Sequence, residues 1–342
     1  LEARVLNEAG APLPLGVVDR VGIDLDTRLD NRFMDVRRPE VQAIFRIRSA
    51  VLAGGRSHLL SQQFTEVHTP NIIATSSEGG TELFPVQYFE QKAYLSQSPQ
   101  LYKQMLMATG LDRVFEVAKY FRAESHNTTR HLNESTAFDC EMAFIDSEED
   151  VMRVLERLVQ AIWRHVHDTC VPQLAVLGRT LAVPEVPFPR VTYDEARALV
   201  APKGIDVPWG EDLSREAEKV LGDVMAEKGH AFYFITRYPK KAKPFYAHPE
   251  GEVSRSFDLA HAGMEVTSGA QRVHDPRMLE ENLKAKGLDP AAFEDYLKAF
   301  RYGMPPHGGF GLGVERLCME MLGLDNVREA VLFPRDRTRL RP

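Results

Sequence analysis

The stretch VFEVAKYFRAESHNTTRHLNESTAFDCEMAFI, residues 114–145, contains two runs with strand character separated by a polar loop. Apolar and polar residues alternate from Arg113 to Arg122, which is the pattern of a β-strand. A polar segment from Ala123 to Asn133 follows, and strand character returns from Thr136 to Ile145. We therefore predict two antiparallel strands joined by a long loop.

Segments with a helical pattern lie on both sides of this strand pair. Apolar spacing near i, i+3 and i+7 predicts a helix that begins behind Pro39 and ends near Leu60. A second helix begins at Ser147, with three acidic residues in its first turn, and the last one begins at Val314. The other predicted elements are a strand at 64–68, a hairpin at 88–96, helices at 99–107, 213–228, 277–287 and 290–300, strands at 232–236 and 257–267, and a glycine-rich turn at 303–313.

The composition is that of an ordinary globular protein. The 342 residues are 44% apolar and 27% charged, which excludes disordered, collagen-like and fibrous chains. No run approaches the roughly 18 apolar residues of a membrane span. The net charge of −7 gives no overall positive field, but it leaves open a local basic groove and hence a nucleic-acid partner. The three cysteines form no C-x-x-C pair, so we expect a reducing compartment, the cytoplasm.

The chain is longer than the roughly 250–300 residues at which a single core usually stops growing. Residues 1–39 begin with a proline-rich segment and continue with many Asp and Arg residues that follow neither a helical nor a strand period. We predict that they are a linker or hinge from a missing N-terminal domain. Residues 40–342 are predicted to form the main domain, with a small α/β insertion at about 171–250.

The common nucleotide and metalloprotease motifs are absent: the sequence has no G-x-x-x-x-G-K-[ST], no G-x-G-x-x-G between a strand and a helix, and no H-E-x-x-H. Residues 308–313 instead offer bare backbone ahead of a helix that carries Glu315 and Arg316. Such a place suits close approach by a phosphate or a planar base. The alternative is an ordinary tight turn between a strand and a helix.

A second patch combines Arg122 and Glu124 at the end of a strand with Arg130 and His131 in the following loop. A guanidinium group matches the geometry of phosphate oxygens, so this patch is a candidate phosphate site. The alternative is a solvated hairpin with a surface Arg–Glu pair.

Two further patches complete the candidate site. Glu265 and Ser268 offer a carboxylate and a hydroxyl, the oxygen ligands that Mg²⁺ prefers, although an ordinary strand with a polar edge has the same pattern. Lys103 lies in the first turn of a predicted helix, where a lone lysine usually faces solvent. Only the joint occurrence of all these patches favours a site for ATP, a metal ion and a small anion.

The order of these segments resembles the class II aminoacyl-tRNA synthetases, and within them the aspartyl-tRNA synthetases of archaeal type. Motif 1 is similar to the helix from Glu40 and the strand 64–70, motif 2 to 114–124 with 130–134 and 141–144, and motif 3 to 309–316. The strings SEGGTELF (77–84) and QSPQLYK (97–103) resemble the amino-acid pocket of that family. The resemblance covers nearly the whole chain.

The resemblance implies an α+β fold, with an antiparallel sheet of six to seven strands flanked by helices and a dimer formed through motif 1. It also implies a two-step reaction. Aspartate and ATP would give aspartyl-adenylate and pyrophosphate, and a terminal ribose hydroxyl of tRNA would then accept the aspartyl group. Such catalysis rests on positioning and on charge stabilisation at phosphorus.

The resemblance assigns roles to individual residues. Arg122 and Arg316 would be the catalytic residues, and Glu265 with Ser268 would hold Mg²⁺ between phosphates. The residues implied for ATP are Arg122, Ala123, Glu124, Arg130, His131, Leu132, Glu265, Gly313, Val314, Glu315 and Arg316. Those implied for aspartate are Glu78, Gln100, Leu101, Tyr102, Lys103, Arg122, Ser268 and Arg272.

Lys103 and Arg272 lead us to expect aspartate rather than asparagine. Two cations that face one side chain favour a carboxylate and leave a neutral amide underpaired. The resemblance makes charging of both tRNA-Asp and tRNA-Asn a hypothesis, since tRNA discrimination is expected in an anticodon-binding domain that this sequence does not contain.

The sequence departs from the family where many relatives carry an aromatic residue after the motif 2 glutamate, because here that residue is Ser135. Stacking on adenine is then expected from His131 and Arg316. Two other functions are considered: a tRNA-independent asparagine synthetase derived from this family, and a non-catalytic binding paralogue. The linker at 1–39 argues against the first, and the presence of Arg122, Glu265 and Arg316 argues against the second.

Overall fold

The structure is a computed structural model that describes residues 3–16, 22–74, 82–125 and 127–342. The helices are α1 (Leu25–Asp30), α2 (Arg32–Asp35), α3 (Pro39–Ser61), α4 (Gln100–Leu106), α5 (Glu148–Thr169), α6 (Val171–Val176), α7 (Tyr193–Val200), α8 (Arg215–Glu227), α9 (Pro276–Ala285), α10 (Glu294–Arg301) and α11 (Val314–Leu322). Short 3₁₀ turns cover Ala201–Lys203, Pro290–Phe293 and Val327–Ala330. Within the described ranges, no helix is long and apolar enough to cross a membrane.

The strands are β1 (Thr65–Glu66), β2 (Ile72–Ile73), β3 (Pro85–Tyr88), β4 (Gln91–Leu95), β5 (Arg113–Phe121), β6 (Glu134–Ala143), β7 (Arg190–Thr192), β8 (Phe232–Thr236), β9 (Pro249–Glu250), β10 (Val253–Ser254), β11 (Ser256–His261), β12 (Met264–Gln271) and β13 (His307–Gly313). The main sheet has the order β1-β5-β6-β13-β12-β11-β8-β7. Its six central strands are antiparallel, as predicted, and the α+β fold is confirmed. The sheet is larger than expected because the short edge strands β1 and β7 pair in parallel with their neighbours.

The two faces of the sheet have different coverings, because successive side chains of a strand point to opposite faces. On one face, Phe115, Phe138 and Phe310 pack into the largest apolar cluster together with α3, α5 and α11. On the other face, one apolar cluster packs α4, α9 and α10 against the ends of β5 and β6, and another packs α7 and α8 against β8 and β11. The described residues leave the middle of that second face uncovered.

The predicted glycine-rich turn at 303–313 is wrong, because most of it is the central strand β13, between β6 and β12. Glycine is required there by close approach. A Cβ atom on Gly309 would lie 2.1 Å from the carbonyl oxygen of Cys140 and from Oε2 of Glu141, and one on Gly311 would lie 2.6 Å from the hydroxyl of Tyr120. The glycines therefore allow Glu141 and Tyr120 to lie directly against the backbone of β13 on this second face of the sheet.

The predicted single strand at 257–267 is also wrong, since β11 and β12 are two antiparallel strands. Ala262 and Gly263 connect them with φ values of 47° and 82°, the left-handed backbone of a tight hairpin turn. The helix predictions hold well: α3 begins at Pro39, and α5 begins at a capping box in which Ser147 and Asp150 satisfy each other's backbone amides.

The segment predicted as an irregular linker contains α1 and α2, so that part of the prediction is wrong. Arg32 is 1% exposed and pairs with Asp35 at 2.5 Å. Its guanidinium also donates to the carbonyl oxygens of Glu329, Val331 and Leu332. The sequence pattern missed these helices because they are short and are held by buried charged groups instead of an apolar stripe.

The region predicted as an insertion, 171–250, is built into the main sheet at one end. It supplies β7 and β8, and α7 and α8 pack over these strands. That it is an insertion, and that residues 1–39 connect to a further domain, remain predictions.

Candidate active site

A cavity of about 310 Å³ lies on the uncovered face of the sheet. The residues that line it come mainly from β5, β6, β11, β12 and β13, from the loop between β5 and β6, from the segment 243–247 between β8 and β9, and from the first turns of α4 and α11. The structure brings together here many residues that the sequence nominated: Gln100, Arg122, Glu124, Arg130, His131, Leu132, Glu265, Ser268, Arg272, Gly313, Glu315 and Arg316.

Other nominated residues do not border this cavity. Val314 is fully buried in the main apolar cluster, and Leu101 packs against the cluster formed by α9 and α10. Tyr102 lies near Asp295 of α10, and burial and then this carboxylate raise the pKa of the Tyr102 hydroxyl. Ala123 donates its amide to the carbonyl oxygen of Glu82. Lys103 is buried beside Asp139, which does border the cavity. Glu78 lies outside the described residues.

The turn after β5 places Arg122 at the cavity wall. Its guanidinium carbon lies 5.2 Å from the ring centre of Tyr120, a cation–π arrangement. Asn133 donates from Nδ2 to the carbonyl oxygens of Arg122 and Glu124, at 2.6 and 3.2 Å. The long loop is thereby closed at its base, which fixes the backbone from which the guanidinium projects.

Arg130 and Arg316 lie at another part of the wall beside two carboxylates. Arg130 is 3.9 Å from Glu218 of α8, and Arg316 donates from Nη1 to the carbonyl oxygen of Glu265 at 3.1 Å. Burial, and then the proximity of Glu265, raise the pKa of Glu218 to about 7. The two cations, Arg130 and Arg316, thus lie beside two carboxyl groups, Glu218 and Glu265, and a negative charge on Glu265 disfavours ionisation of Glu218.

Glu265 and Ser268 both border the cavity although they are three residues apart on β12. On a regular strand such residues face opposite sides. Here Ser268 pairs with Asp258 and Glu265 pairs with Ala260, so β12 has one residue more than β11 between these pairs. This β-bulge turns both oxygen-bearing side chains to the same face.

On the same face of the sheet, against Gly309 and Gly311, lies a four-charge cluster, made of Lys103, Asp139, Glu141 and Arg272, all of them buried. The Lys103 Nζ atom is 2.8 Å from Asp139 and 3.3 Å from Glu141, and it also donates to the carbonyl oxygens of Cys140 and Phe310. Arg272 donates from Nε and Nη2 to the two oxygens of Glu141. The formal charges of the cluster cancel.

Lys103 and Arg272 are therefore not two isolated cations, because each pairs with a buried carboxylate. Burial alone would raise the pKa of Glu141, but Arg272 and Lys103 together hold it below its usual value. Sequence reasoning did not nominate Asp139 and Glu141. They alternate with Phe138, Cys140 and Met142 on a strand whose other face is in the apolar core. Two acidic residues at every second position of a buried strand are themselves a signal, because buried carboxylates need cationic partners.

The comparison with known proteins decides the family. A family model for class II tRNA synthetases (D, K and N) matches residues 24–337, which include part of the predicted linker. The chain belongs to the class II tRNA synthetases.

Close relatives of this synthetase cover nearly all of it. It is 59% identical to the aspartate–tRNA(Asp/Asn) ligase of Archaeoglobus fulgidus over 99% of this chain and 78% of that one. It is 56% identical to the aspartate–tRNA(Asp) ligase of Pyrococcus horikoshii, with the same coverage. Among solved structures, the aspartyl-tRNA synthetase of Entamoeba histolytica matches with a TM-score of 0.84 and 38% identity, over 97% of this chain and 66% of that one. The asparaginyl-tRNA synthetase of Pyrococcus horikoshii with asparaginyl-adenylate matches with a TM-score of 0.87 and 35% identity, over 94% and 74%.

Glu315 of the synthetase borders the cavity, but its carboxylate is held by protein groups. Oε1 is 2.5 Å from Arg48 of α3, and Oε2 accepts the backbone amide of Thr136 at 2.9 Å. This contact joins α3, β6 and α11, which are the three elements that carry the sequence motifs. The carboxylate of Glu315 therefore stabilises the arrangement of these three elements around the cavity.

Replacement of Arg48 by methionine should lower the free energy of unfolding by about 3 kcal/mol, because Glu315 would keep its charge in a buried place without its cation. Thermal unfolding of the purified variant measures this. Arg46→Met is the matched control, since Arg46 lies on the same helix, is exposed and contacts only Gln42 at 3.4 Å among the side-chain bonds described. Equal stability of the two variants would contradict a structural role for the Arg48–Glu315 pair.

Proposed function

We propose that the chain activates L-aspartate with ATP to give aspartyl-adenylate and transfers the aspartyl group to the 3′ end of tRNA. The observation that carries this proposal is the cavity itself: it gathers Arg122, Arg316 and Glu265 above the four-charge cluster. The proposal is supported by relatives at 52–59% identity that are named aspartate–tRNA ligases.

In the first step, the α-carboxylate of aspartate attacks the α-phosphorus of ATP, and pyrophosphate leaves. Arg122 has a planar fork of donors suited to the α-phosphate oxygens, on which negative charge grows during attack. Arg130, His131 and Arg316 would bind the outer phosphates and the base, and Glu124 the adenine amino group. In the second step, the terminal ribose hydroxyl attacks the aspartyl carbonyl carbon, and AMP leaves.

The residues around Glu265 fit a magnesium ion. The bulge in β12 directs Glu265 and Ser268 to one side. The neighbouring Asp258 pairs through Oδ2 with Lys243 at 2.6 Å, and its Oδ1 is buried without a hydrogen-bond partner in the described part of the chain. The described residues contain no group of three His, Cys, Asp or Glu arranged to hold a metal ion. Glu265 and Ser268 would hold Mg²⁺, which would supply charge neutralisation for the phosphates of ATP.

Glu265→Gln should raise the Mg²⁺ concentration that supports half-maximal aspartate-dependent pyrophosphate exchange, because one charged ligand is lost. Titration of Mg²⁺ at saturating ATP measures the shift. Glu250→Gln is the control, since Glu250 pairs with the exposed Arg237 and does not line the cavity. An unchanged Mg²⁺ dependence would remove Glu265 from the proposed metal site.

Lys103 and Arg272 would bind the side-chain carboxylate of aspartate from the base of the cavity. Arg272 uses Nε and Nη2 for Glu141, so its Nη1 would be the atom that meets the substrate. The negative partners Asp139 and Glu141 hold both cations in place, and a neutral cluster accepts a single further carboxylate at a lower cost than a negative one.

The partners of the enzyme are proposals as well. Both tRNA-Asp and tRNA-Asn are candidate acceptors, because relatives carry both names. We also propose a homodimer and a cytoplasmic location. Charging of the two purified tRNAs, and the mass of the protein in solution, test the first two.

The experiment that tests the function is ATP–pyrophosphate exchange with aspartate, asparagine or lysine, followed by addition of tRNA or ammonia. Exchange with aspartate alone and transfer to tRNA are expected. Asparagine formed from ammonia would favour the asparagine synthetase alternative. Exchange with none of the three amino acids would leave a binding protein.

A further inference from the structure

A chain of buried hydrogen bonds connects the backbone ahead of β13 to the edge of the cavity. Nδ1 of His307 is 2.9 Å from the carbonyl oxygen of Pro305, and its Nε2 is 3.0 Å from Nε2 of Gln104. Oε1 of Gln104 accepts from Nε2 of Gln100 at 2.7 Å and from the hydroxyl of Tyr296 at 3.1 Å. His307 and Gln104 are 0% exposed, whereas Gln100 borders the cavity.

The donor and the acceptor of each hydrogen bond in this series follow from the bond between His307 and Pro305. A backbone carbonyl only accepts, so Nδ1 of His307 carries a proton. Burial lowers the pKa of His307 to about 4, so the ring is neutral and its Nε2 accepts. The group of Gln104 that faces Nε2 must then be its amide nitrogen. Its oxygen is thereby turned to Tyr296 and Gln100.

The same reasoning fixes the orientation of the Gln100 side-chain amide. The group that Gln100 presents to the oxygen of Gln104 must be its amide nitrogen, which leaves its own oxygen as the polar atom for the substrate. An amide oxygen binds a hydrogen-bond donor. The carboxylates of ionised aspartate only accept, so the α-ammonium group is the donor that this oxygen suits.

We propose that Gln104 and His307 are positioning residues that hold the amide of Gln100 in the orientation that receives the α-ammonium group of the amino acid. This inference rests on the proposed function, in that it takes an α-amino acid as the substrate. Rotation of the Gln100 amide by half a turn would direct its two N–H groups at the ammonium and leave Gln104 facing a second acceptor. The buried bonds prevent that rotation.

The test compares two ligands, L-aspartate and succinate, which has both carboxylates but no ammonium group. Dissociation constants are measured by calorimetry for the full chain and for Gln104→Leu. The expected result is a loss of affinity for aspartate of about 10-fold, the effect of one hydrogen bond to a charged group, with the affinity for succinate unchanged. A merely structural role would weaken both ligands equally, and that outcome overturns the proposal.

Tyr296→Phe is the matched control. It removes a bond to the same Gln104 oxygen but leaves the bond from Gln104 to Gln100, so the ratio of the two affinities should stay as in the parent. If Gln104→Leu does not fold, His307→Leu tests the same chain at its anchor and should also reduce the affinity for aspartate alone. An unchanged ratio in that variant overturns the proposal. Failure of the parent protein to bind aspartate would refute the proposed function, which is a different result.

Discussion

Lys103→Met should abolish aspartate-dependent pyrophosphate exchange and lower the melting temperature. Lys103 lies between Asp139 and Glu141, at 2.8 and 3.3 Å, and is 3% exposed. Without it, Asp139 would be a buried carboxylate with no cation, since Arg272 pairs with Glu141, and removal of one partner from such an arrangement costs about 3–5 kcal/mol of stability. The cluster would also become negative and repel the substrate carboxylate. Exchange assays and thermal unfolding of the variant measure the two effects.

The double variant Lys103→Met/Asp139→Asn separates stability from function. Its remaining Arg272–Glu141 pair is again neutral, so the melting temperature should recover most of the loss. Exchange should stay absent, because the cation that is proposed to bind the substrate is still missing. Aspartate-dependent exchange in the single variant would contradict the proposed aspartate pocket.

Arg122→Ala should reduce the kcat of exchange by about 10²–10³-fold, as the loss of one preorganised donor at a developing charge does in other enzymes. The KM for aspartate should change much less, because the guanidinium is proposed to act on the phosphate during attack. Steady-state exchange over a range of ATP and aspartate concentrations measures both constants.

Arg113→Ala is the matched control for Arg122. Arg113 lies at the other end of β5 and donates to the carbonyl oxygen of Gln62, away from the cavity. It should leave kcat unchanged. A change confined to KM in the Arg122 variant would show ground-state binding and would refute the proposed role in charge stabilisation.

The sequence was sufficient for those elements in which local pattern and tertiary packing agree. The amphipathic helix α5 and the strand pair β5–β6 follow their periods closely, and the capping box at Ser147 marks the start of α5. The sequence did not predict β13, because glycine is unfavourable in strands. Glycine is present there because Cys140, Glu141 and Tyr120 approach the backbone so closely. That approach depends on neighbouring strands and has no local signal.

The candidate site shows the same division. The sequence and its resemblance named many residues of the cavity wall but none in the segment 243–247, and the roles given to the named residues stay predictions until they are tested. The buried partners Asp139, Glu141, Gln104 and His307 were not nominated, because their function depends on which side chain lies opposite. The bulge in β12, which places Glu265 beside Ser268, follows from strand pairing that the sequence of one strand cannot reveal.

The place of β13 in the sheet also determines when a newly made chain can complete its fold. The strands β5 and β6 pair with each other, and β8, β11 and β12 form a second set, but these two half-sheets meet only through β13. Because ribosomes synthesise proteins from the amino terminus, about nine-tenths of the described chain has emerged before this strand exists. Until then each half-sheet has an edge strand with unpaired backbone N–H and C=O groups. Synthesis of the enzyme therefore passes through a long interval in which chaperones, or a neighbouring nascent chain, can bind those edges.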